Sequence, residues 1–334
     1  MAPLSQRRHC RHPVNVYEDV GALRRDVAKL ATQCGTRTGE AELVATELGT
    51  NLLRHAAPGG YVLYRQTADG IEFVSVDTGP GMPPARRPDA AVSAVRPASG
   101  GLAAGLGSIR RMSTEYDCYS STGGTVLLAR LGGRRLSSGG RWRHGGVNVP
   151  LGDTGPSGDA WAVTADAGLA ALVVDGLGHG DEAAAAASLG AELFEQGPVV
   201  DPAVFLRRAH EAMRGTRGGV GGVCVIDPKV SRLAFAGIGN IAGVVVSGDG
   251  KQHLISCPGT LGTHMSVPRV QVRHYRWPQG ATLVMSSDGI RAGWSLSSYP
   301  GLLRHDPVVI AATLHRDFSR STDDATVLVV RDVS

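Results

Sequence analysis

The sequence predicts an α+β protein of two domains. Three observations lead there. The chain has 334 residues, and at about 150 residues per domain that length suggests two; each half is long enough to bury a core of its own. The first part reads as two helical stretches followed by strands. The second reads as many short apolar strands with a few helices between them, a layered pattern. A stretch rich in Gly and Arg, residues 132–146, separates the parts and reads as a flexible basic linker.

Residues 1–14 read as a loose basic arm. From Val16 to Gln33 the spacing of Val20, Leu23, Val27 and Leu30 predicts a helix that stops at Gly35. A second helix, Glu40–Ala56, carries the stripe Val44, Leu48, Leu52, with Glu47 and Asn51 one turn apart beside it. Strands 61–67 and 71–76 flank Ala68-Asp69-Gly70, a hairpin signal. The second strand runs into Asp77-Thr78-Gly79-Pro80-Gly81, which by itself is an ordinary turn sequence. The Pro- and Ala-rich stretch to Ala98 has no periodicity and reads as a loop. Ser99–Gly107 reads as a glycine-rich segment opening a helix at 108–113, where backbone N–H groups would face anions. Strands 115–120 and 125–131 close this part around Gly123-Gly124.

Beyond the linker, the run Leu169–Val174 reads as a buried strand ending on Asp175-Gly176-Leu177-Gly178-His179-Gly180 and turning into a helix, 181–195. A carboxylate at a strand end followed by glycines suits a hard divalent cation, though a plain strand–turn–helix connection has the same composition. Asp159 stands before another predicted strand, 161–164. Asp288-Gly289 follows the strand 282–285, and Asp323-Asp324 precedes the last strand, 325–330. Acids thus mark four strand ends. Carboxylates converging there would repel unless cations sat between them, as in a two-metal hydrolytic site. The remaining expectations are a helix at 202–214, a glycine-rich break at 215–222, strands at 223–226, 232–236, 243–246 and 271–275, and a helix at 306–317. His179 reads equally well as a turn residue or as one that orients a metal-bound water or the phosphate, and Asn240 reads as a turn residue.

The order Gly158-Asp159, Asp175-Gly176-x-Gly178-His179-Gly180, Asp288-Gly289, Asp323-Asp324-x-Thr326 resembles the SpoIIE-type branch of the metal-dependent serine/threonine protein phosphatases (PPM). Phe235–Ile241 is similar to the branch containing the stressosome feedback phosphatases. The resemblance covers 147–331 and implies a β-sandwich flanked by helices. It implies that Asp159, Asp175, Asp288 and Asp323 ligate two Mn²⁺ or Mg²⁺ ions with the carbonyl of Gly176, Asp175 and Asp288 being central to catalysis. Asp324 stands where many relatives carry Asn, so its role stays open.

Glu47 and Asn51 on a helix, then Asp77-x-Gly79-x-Gly81, then Gly105-Leu106-Gly107, then Gly123-Gly124-Thr125, resemble the GHKL (Bergerat) ATP-binding α/β sandwich over residues 15–131, in its anti-sigma-factor and stressosome switch-kinase branch. By that resemblance ATP binds here with Mg²⁺ on Asn51, and Asp77 reads the adenine amino group with Thr125 near. Gly79 and Gly81 admit the base, Gly105, Leu106 and Gly107 line the phosphates, and Glu47 is the general base. The family often has Gly where this chain has Ala103. The implied function is a bifunctional partner-switching regulator, a serine/threonine kinase domain plus a metal-dependent phosphoserine/phosphothreonine phosphatase. The implied substrates are STAS-domain proteins of a sigma-factor pathway. The alternative is a phosphatase whose ATP-binding domain is a non-catalytic anti-sigma-like clamp or nucleotide sensor.

Composition narrows the classes. The net charge is +4 with Arg pairs scattered, so nucleic-acid binding is not expected. The five cysteines, Cys10, Cys34, Cys118, Cys224 and Cys257, include no close pair, which fits a reducing, cytoplasmic setting rather than disulfides or zinc. No signal peptide or membrane span is expected. Relatives of the first domain sometimes pair, so a homodimer is compatible with the reading.

Overall fold

The computed structural model describes residues 7–56, 59–82, 102–133, 140–165, 168–266 and 268–334. The stretch 83–101, the linker middle 134–139 and the side chain of Ala103 lie outside the described residues. The chain forms two compact units. One comprises Met1–Ser138 with Ser295–Arg316, the other Gly139–Trp294 with Asp317–Ser334.

In the first unit, β1 (Cys10–Val14), β2 (Gly60–Thr67), β3 (Gly70–Asp77), β4 (Glu115–Ser121) and β5 (Gly124–Gly132) form an antiparallel sheet in the order β1-β2-β3-β5-β4. Helices α1 (Tyr17–Cys34), α2 (Thr38–His55) and α3 (Leu102–Met112) lie on one face. Val20, Leu23, Val44, Leu48, Phe73 and Ile109 form their shared core, the amphipathic stripe turned inward. The Asp19 carboxylate accepts from the amides of Asn15 and Val16 and so fixes the start of α1, and Gly35 ends it at φ 66°.

Two expectations are corrected here. The expected basic arm contains β1, an edge strand pairing with β2 from Cys10↔Tyr64 to Val14↔Gly60; its Pro13 sits where edge strands tolerate proline. The glycine segment through Gly107 is helical from Leu102. Leu106 and Ile109, three apart, both turn onto the core, and that burial outweighs the roughly 1 kcal/mol each glycine costs a helix.

The second unit is a sandwich of two antiparallel sheets. One has the order β13-β10-β9-β8-β7, from β7 (Asp159–Ala165), β8 (Leu169–Gly176), β9 (Gly219–Asp227), β10 (Arg232–Ile238) and β13 (Arg273–Arg276). The other has the order β12-β11-β14-β15-β6, from β6 (Trp142–Val149), β11 (Ala242–Ser247), β12 (Gly250–Leu254), β14 (Thr282–Ser286) and β15 (Ala325–Asp332). Trp161, Val173, Phe235, Met285 and Leu328 fill the space between the sheets. Helices α4 (Asp181–Glu195) and α5 (Pro202–Ala212) pack on the first of them. The expected linker is strand from Trp142 onward. Those residues pair with the last strand from Trp142↔Asp332 to Val149↔Ala325, so the second unit begins earlier than position 147. The expected break at 215–222 is partly β9, whose glycines let neighbouring backbone close in.

Segment 295–316 groups by contacts with the first unit. It holds two short 3₁₀ turns, Leu296–Ser298 and Leu302–Arg304, and most of α6 (Pro307–Phe318). Its anchor is a buried charge network on the sheet. Glu72, fully buried, accepts from Arg65 Nε at 2.6 Å and Arg130 Nε at 2.7 Å and meets His9 Nε2 at 3.2 Å. Arg130 also pairs with Glu115 and, at 3.2 Å, with Asp306. Burial would raise the Glu72 carboxyl, but the cations of Arg65 and Arg130 hold it well below the usual carboxylate range. Glu72→Gln should leave two guanidinium groups under-compensated and cost about 3 kcal/mol. Urea unfolding followed by circular dichroism checks this, and a loss under about 1 kcal/mol, the worth of an exposed pair, would remove the network from the stability argument.

Candidate active sites

The second unit gathers its acids at one rim. Asp159 and Asp175 face each other across the β7–β8 ladder. The end of β14 lies beside the start of β15, with Ser286 opposite Val327, which brings Asp288 and Asp323 alongside. Ser287 ties the two sheets together there: its hydroxyl donates to Asp159 Oδ2 at 2.6 Å and accepts from the Thr326 amide at 3.1 Å. Asn240 Nδ2 donates to Asp288 Oδ2 at 2.7 Å, so this turn residue orients an acid. Asn148 Nδ2 donates to the Asp159 carbonyl, and Asn148 Oδ1 accepts from the Ser157 hydroxyl. Neither Ser287 nor Asn148 carries a signal in the bare sequence, because a lone polar residue at a strand end is unremarkable.

Asp324 has a structural role. Its two carboxylate oxygens accept from the amides of Leu151 at 2.7 Å and Gly158 at 2.8 Å. It thereby pins the loop that presents Asp159, a task an acceptor must perform and which a charged carboxylate does strongly. Gly176 donates to the Gly158 carbonyl and lies so close to the Ala183 carbonyl that no side chain fits.

The electrostatics follow from crowding. Burial first, then Asp159, Asp288, Asp323 and Asp324, push the Asp175 carboxyl up to about 9. Burial and the charges of Asp324 and Asp323 raise Asp159 to about 7 against its hydrogen bond from Ser287. Asp323 is raised by burial and Asp288, and His179 pulls it the other way; His179 is therefore at the rim, exposed. Among the described residues no three His, Cys, Asp or Glu side chains already close round a single point. The arrangement fits cations that keep several waters and take one or two carboxylates each, as Mg²⁺ does. Arg217 stands over the glycine turn, 3.0 Å from where a Cβ on Gly178 would be, and pairs with Glu182. A larger cavity of this unit, about 590 Å³ around Ala170, Val225 and Ala234, holds none of the four acids.

In the first unit a cavity of about 310 Å³ is lined by Asn51, Asp77, Gly81, Met82, Leu106 and Thr125 among others. Asp77 Oδ1 accepts from the amides of Gly79 at 2.8 Å and Thr125 at 3.2 Å. Burial raises its carboxyl, opposed by those two amides and by Arg316. The Thr125 hydroxyl bonds Ser120, which also accepts from the Met82 amide. Gly81, at φ 74°, is required because its backbone lies against the Ser121 carbonyl, a reason additional to clearance for a base. A Cβ on Gly105 would lie 2.5 Å from Glu47 Oε2 and 3.5 Å from Asn51 Oδ1. Three expected site residues therefore meet at one point, and the buried Asn51 Nδ2 has no partner. The cavity, the unpaired amide and the glycine cradle fit a nucleotide. The phosphate-loop geometry is corrected: Gly105 and Gly107 lie within α3 rather than in a loop before it.

Comparison with known proteins follows these divisions. The family model "Stage II sporulation protein E (SpoIIE)" matches residues 165–332, and "Histidine kinase-like ATPase domain" matches 15–131. A solved structure described under "The bacterial stressosome: a modular system that has been adapted to control secondary messenger signaling" is 25% identical, with TM-score 0.54, over 57% of this chain and 100% of its own. RsbX in complex with magnesium is 19% identical, with TM-score 0.51, over 57% of this chain and 94% of its own, a likeness of fold. No curated protein matches the chain. Among the described residues no helix is long and apolar enough to cross a membrane. With half of its length in the SpoIIE match, its second unit folded as a PPM-type sandwich and its first as a histidine kinase-like ATPase domain, the chain belongs to the SpoIIE family.

Proposed function

We propose that the second unit is a metal-dependent phosphoserine/phosphothreonine protein phosphatase. The observation that carries this reading is the convergence of Asp159, Asp175, Asp288 and Asp323 on one rim, where burial and neighbouring carboxylates raise the carboxyls of Asp159, Asp175 and Asp323. Two divalent cations, Mn²⁺ or Mg²⁺, held there with the Gly176 carbonyl, would supply charge for the phosphoryl group and acidify water. Ser287 and Asn240 hold Asp159 and Asp288 in place for this role. Arg217, the cation over the turn, receives the phosphate oxygens of the substrate.

The first unit binds ATP, with Asp77 accepting from the adenine amino group and Asn51 facing Mg²⁺. Glu47, beside Asn51 and Gly105, is the general base that takes the proton of a serine or threonine hydroxyl during transfer of the γ-phosphoryl group. Together the two units form a reversible switch on one class of protein, and STAS-domain antagonists of a sigma-factor pathway are the candidates. A second reading is favoured by the helical Gly105 and Gly107. Helical amides are largely engaged within the helix, so the ATP-binding unit then acts as a nucleotide-dependent clamp on its partner without phosphotransfer.

Hydrolysis kinetics, phosphotransfer and melting temperature test these readings. In Mn²⁺, Asp175→Ala should reduce phosphopeptide hydrolysis by at least about a hundredfold, the upper range for metal-site partners. Arg217→Ala should instead raise KM about tenfold with kcat little changed, the share of one exposed charge-assisted hydrogen bond. Steady-state kinetics on one phosphopeptide separates them, and unchanged hydrolysis by Asp175→Ala would dismiss the metal site.

With phosphatase activity removed by Asp175→Ala, Mg-ATP and a STAS-domain partner should yield one added phosphate by intact mass. Adding Glu47→Ala should slow that transfer by about 10²–10⁴ while ATP binding survives. ATP binding with no transfer by the Glu47-intact protein supports the clamp.

The raised carboxyls set a pH trend in metal-free protein. Asp175 is protonated up to about pH 9 in the folded state but only to its ordinary value, about 4, when unfolded. The folded state thus holds more protons across that window, and stability falls as pH rises through it. Melting temperature should drop from pH 5 to pH 8 in chelator, and saturating Mn²⁺ should flatten the trend. A metal-free melting temperature constant over that range contradicts the crowding.

A further inference from the structure

Helices α4 and α5 cover only part of the outer face of their sheet. The cross-strand row Leu172, Val223, Ala236 lies beneath them and is fully buried. The next row on that face is Thr164, Ala170, Val225, Ala234, His274, one residue from each of the five strands in register. Its three central side chains are small and apolar, and Val225 and Ala234 are only half-buried. They floor the cavity of about 590 Å³, a size that suits a small organic ligand.

The cavity is polarised. Towards the helices its wall is Pro198, Val199, Val200 and Pro202, and Val200 stands 81% exposed at the mouth. Towards the strand ends its wall carries Lys229 and Arg232. Val230, between these two cations in the chain, is 59% exposed. Among the described residues no ion pair engages Lys229 or Arg232. The two acids of the lining are committed to their own turns. Asp201 Oδ1 caps α5 by accepting from the amides of Ala203 at 2.7 Å and Val204 at 3.2 Å, and Asp227 Oδ1 accepts from the Lys229 amide at 3.0 Å. An apolar floor open to water gains free energy when an apolar body covers it. Two cations without counter-ions at one end of that floor suit an anionic head.

We propose that this cavity binds a medium-chain carboxylate. The carboxylate lies between Lys229 and Arg232, and the acyl chain runs over Ala170, Val225 and Ala234 towards Val199 and Val200. The site is remote from the acid rim: Ala170 and Asp175 are five residues apart on β8, about 17 Å along an extended strand. The inference is independent of the phosphatase and ATP-site readings, because none of its residues belongs to either.

Calorimetry on the full chain in chelator tests this with decanoate below its micelle concentration, octanoate and decanol. Decanoate should bind once per chain. Octanoate should bind about sixteenfold more weakly, at about fourfold per methylene lost from the floor. Decanol, which lacks the charge, should bind about tenfold more weakly, the worth of one charge-assisted hydrogen bond. Lys229→Ala combined with Arg232→Ala should bring decanoate down to the level of decanol without changing the melting temperature, since both side chains are exposed. Ala234→Leu, which fills the floor, should abolish binding. A wild-type chain that does not bind decanoate overturns the proposal. So does an affinity equal to that of octanoate or decanol, or one that neither the paired rim substitutions nor Ala234→Leu alters, because decanoate then sits elsewhere. Binding to phosphatidylglycerol vesicles without binding of free decanoate would assign the face to a membrane surface and overturns it likewise. Loss of the metal-site or ATP-site reading leaves each of these outcomes unchanged.

Discussion

Like charges crowded at one rim of a β-sandwich have to be held there, and the hydrogen bonds that hold them organise the second unit. Ser287 reaches from the end of β14 to Asp159 in the opposite sheet. Asp324 reaches from the start of β15 to the amides of Leu151 and Gly158. These bonds fix the relative height of the two sheets at the end where the acids stand. Hydrogen bonds to ionised groups contribute more than neutral ones, so part of the stabilisation the sandwich gains from its acids serves to keep other acids close together. Without such ties, repulsion among Asp159, Asp175, Asp288 and Asp323 would be relieved by spreading the strand ends.

Close backbone approach is the second constraint, and both sites use it. Gly176 against the Ala183 carbonyl, Gly289 against the Asp324 carbonyl and Gly81 against the Ser121 carbonyl each occupy space that any Cβ would need. At Gly105 the neighbour is instead a pair of side chains, Glu47 and Asn51. That glycine shapes the site by leaving room at the face of a helix, and it does so without a loop. Glycine next to an acid in this sequence therefore has two meanings, which spacing alone does not separate.

What was legible in the sequence follows from this. Helix α4 starts and ends where its glycine turn and alanine run predict, at Asp181 and Glu195, because local composition decides it. The strand ends carrying acids were legible as a pattern, since apolar runs ending on Asp-Gly recur. Four things were not. Strands β1 and β6 carry basic residues and lie in or beside stretches that read as a loose arm and a linker, and their pairing partners lie far along the chain; nothing local marks them. The helical state of Gly105 and Gly107 is set by tertiary burial of Leu106 and Ile109, which overrides propensity. The role of Asp324 depends on two amides from a loop more than 160 residues earlier. The placement of 295–316 was equally hidden, because the apolar pattern of α6 says that the helix is buried and not which sheet buries it.

Two carboxylates show how charge divides the labour of the chain. Glu72 meets Arg65, Arg130 and His9, and its carboxyl is held low. The groups that act on Asp175 are burial and four other carboxylates, and its carboxyl is driven high. The first charge is neutralised by the chain itself and works as structure, tying β3 to β5 and, through Arg130 and Asp306, to α6. The second is left to be neutralised by something that arrives from solution. A buried acid whose countercharge is covalently present cannot respond to a ligand, whereas one whose countercharge is not can respond strongly, by the full difference between its crowded and compensated states. The same chain uses the first kind of acid to seat α6 and the second kind to build the rim, and residues 317–320, which continue from α6, are hydrogen-bonded to the turn that carries Asp288.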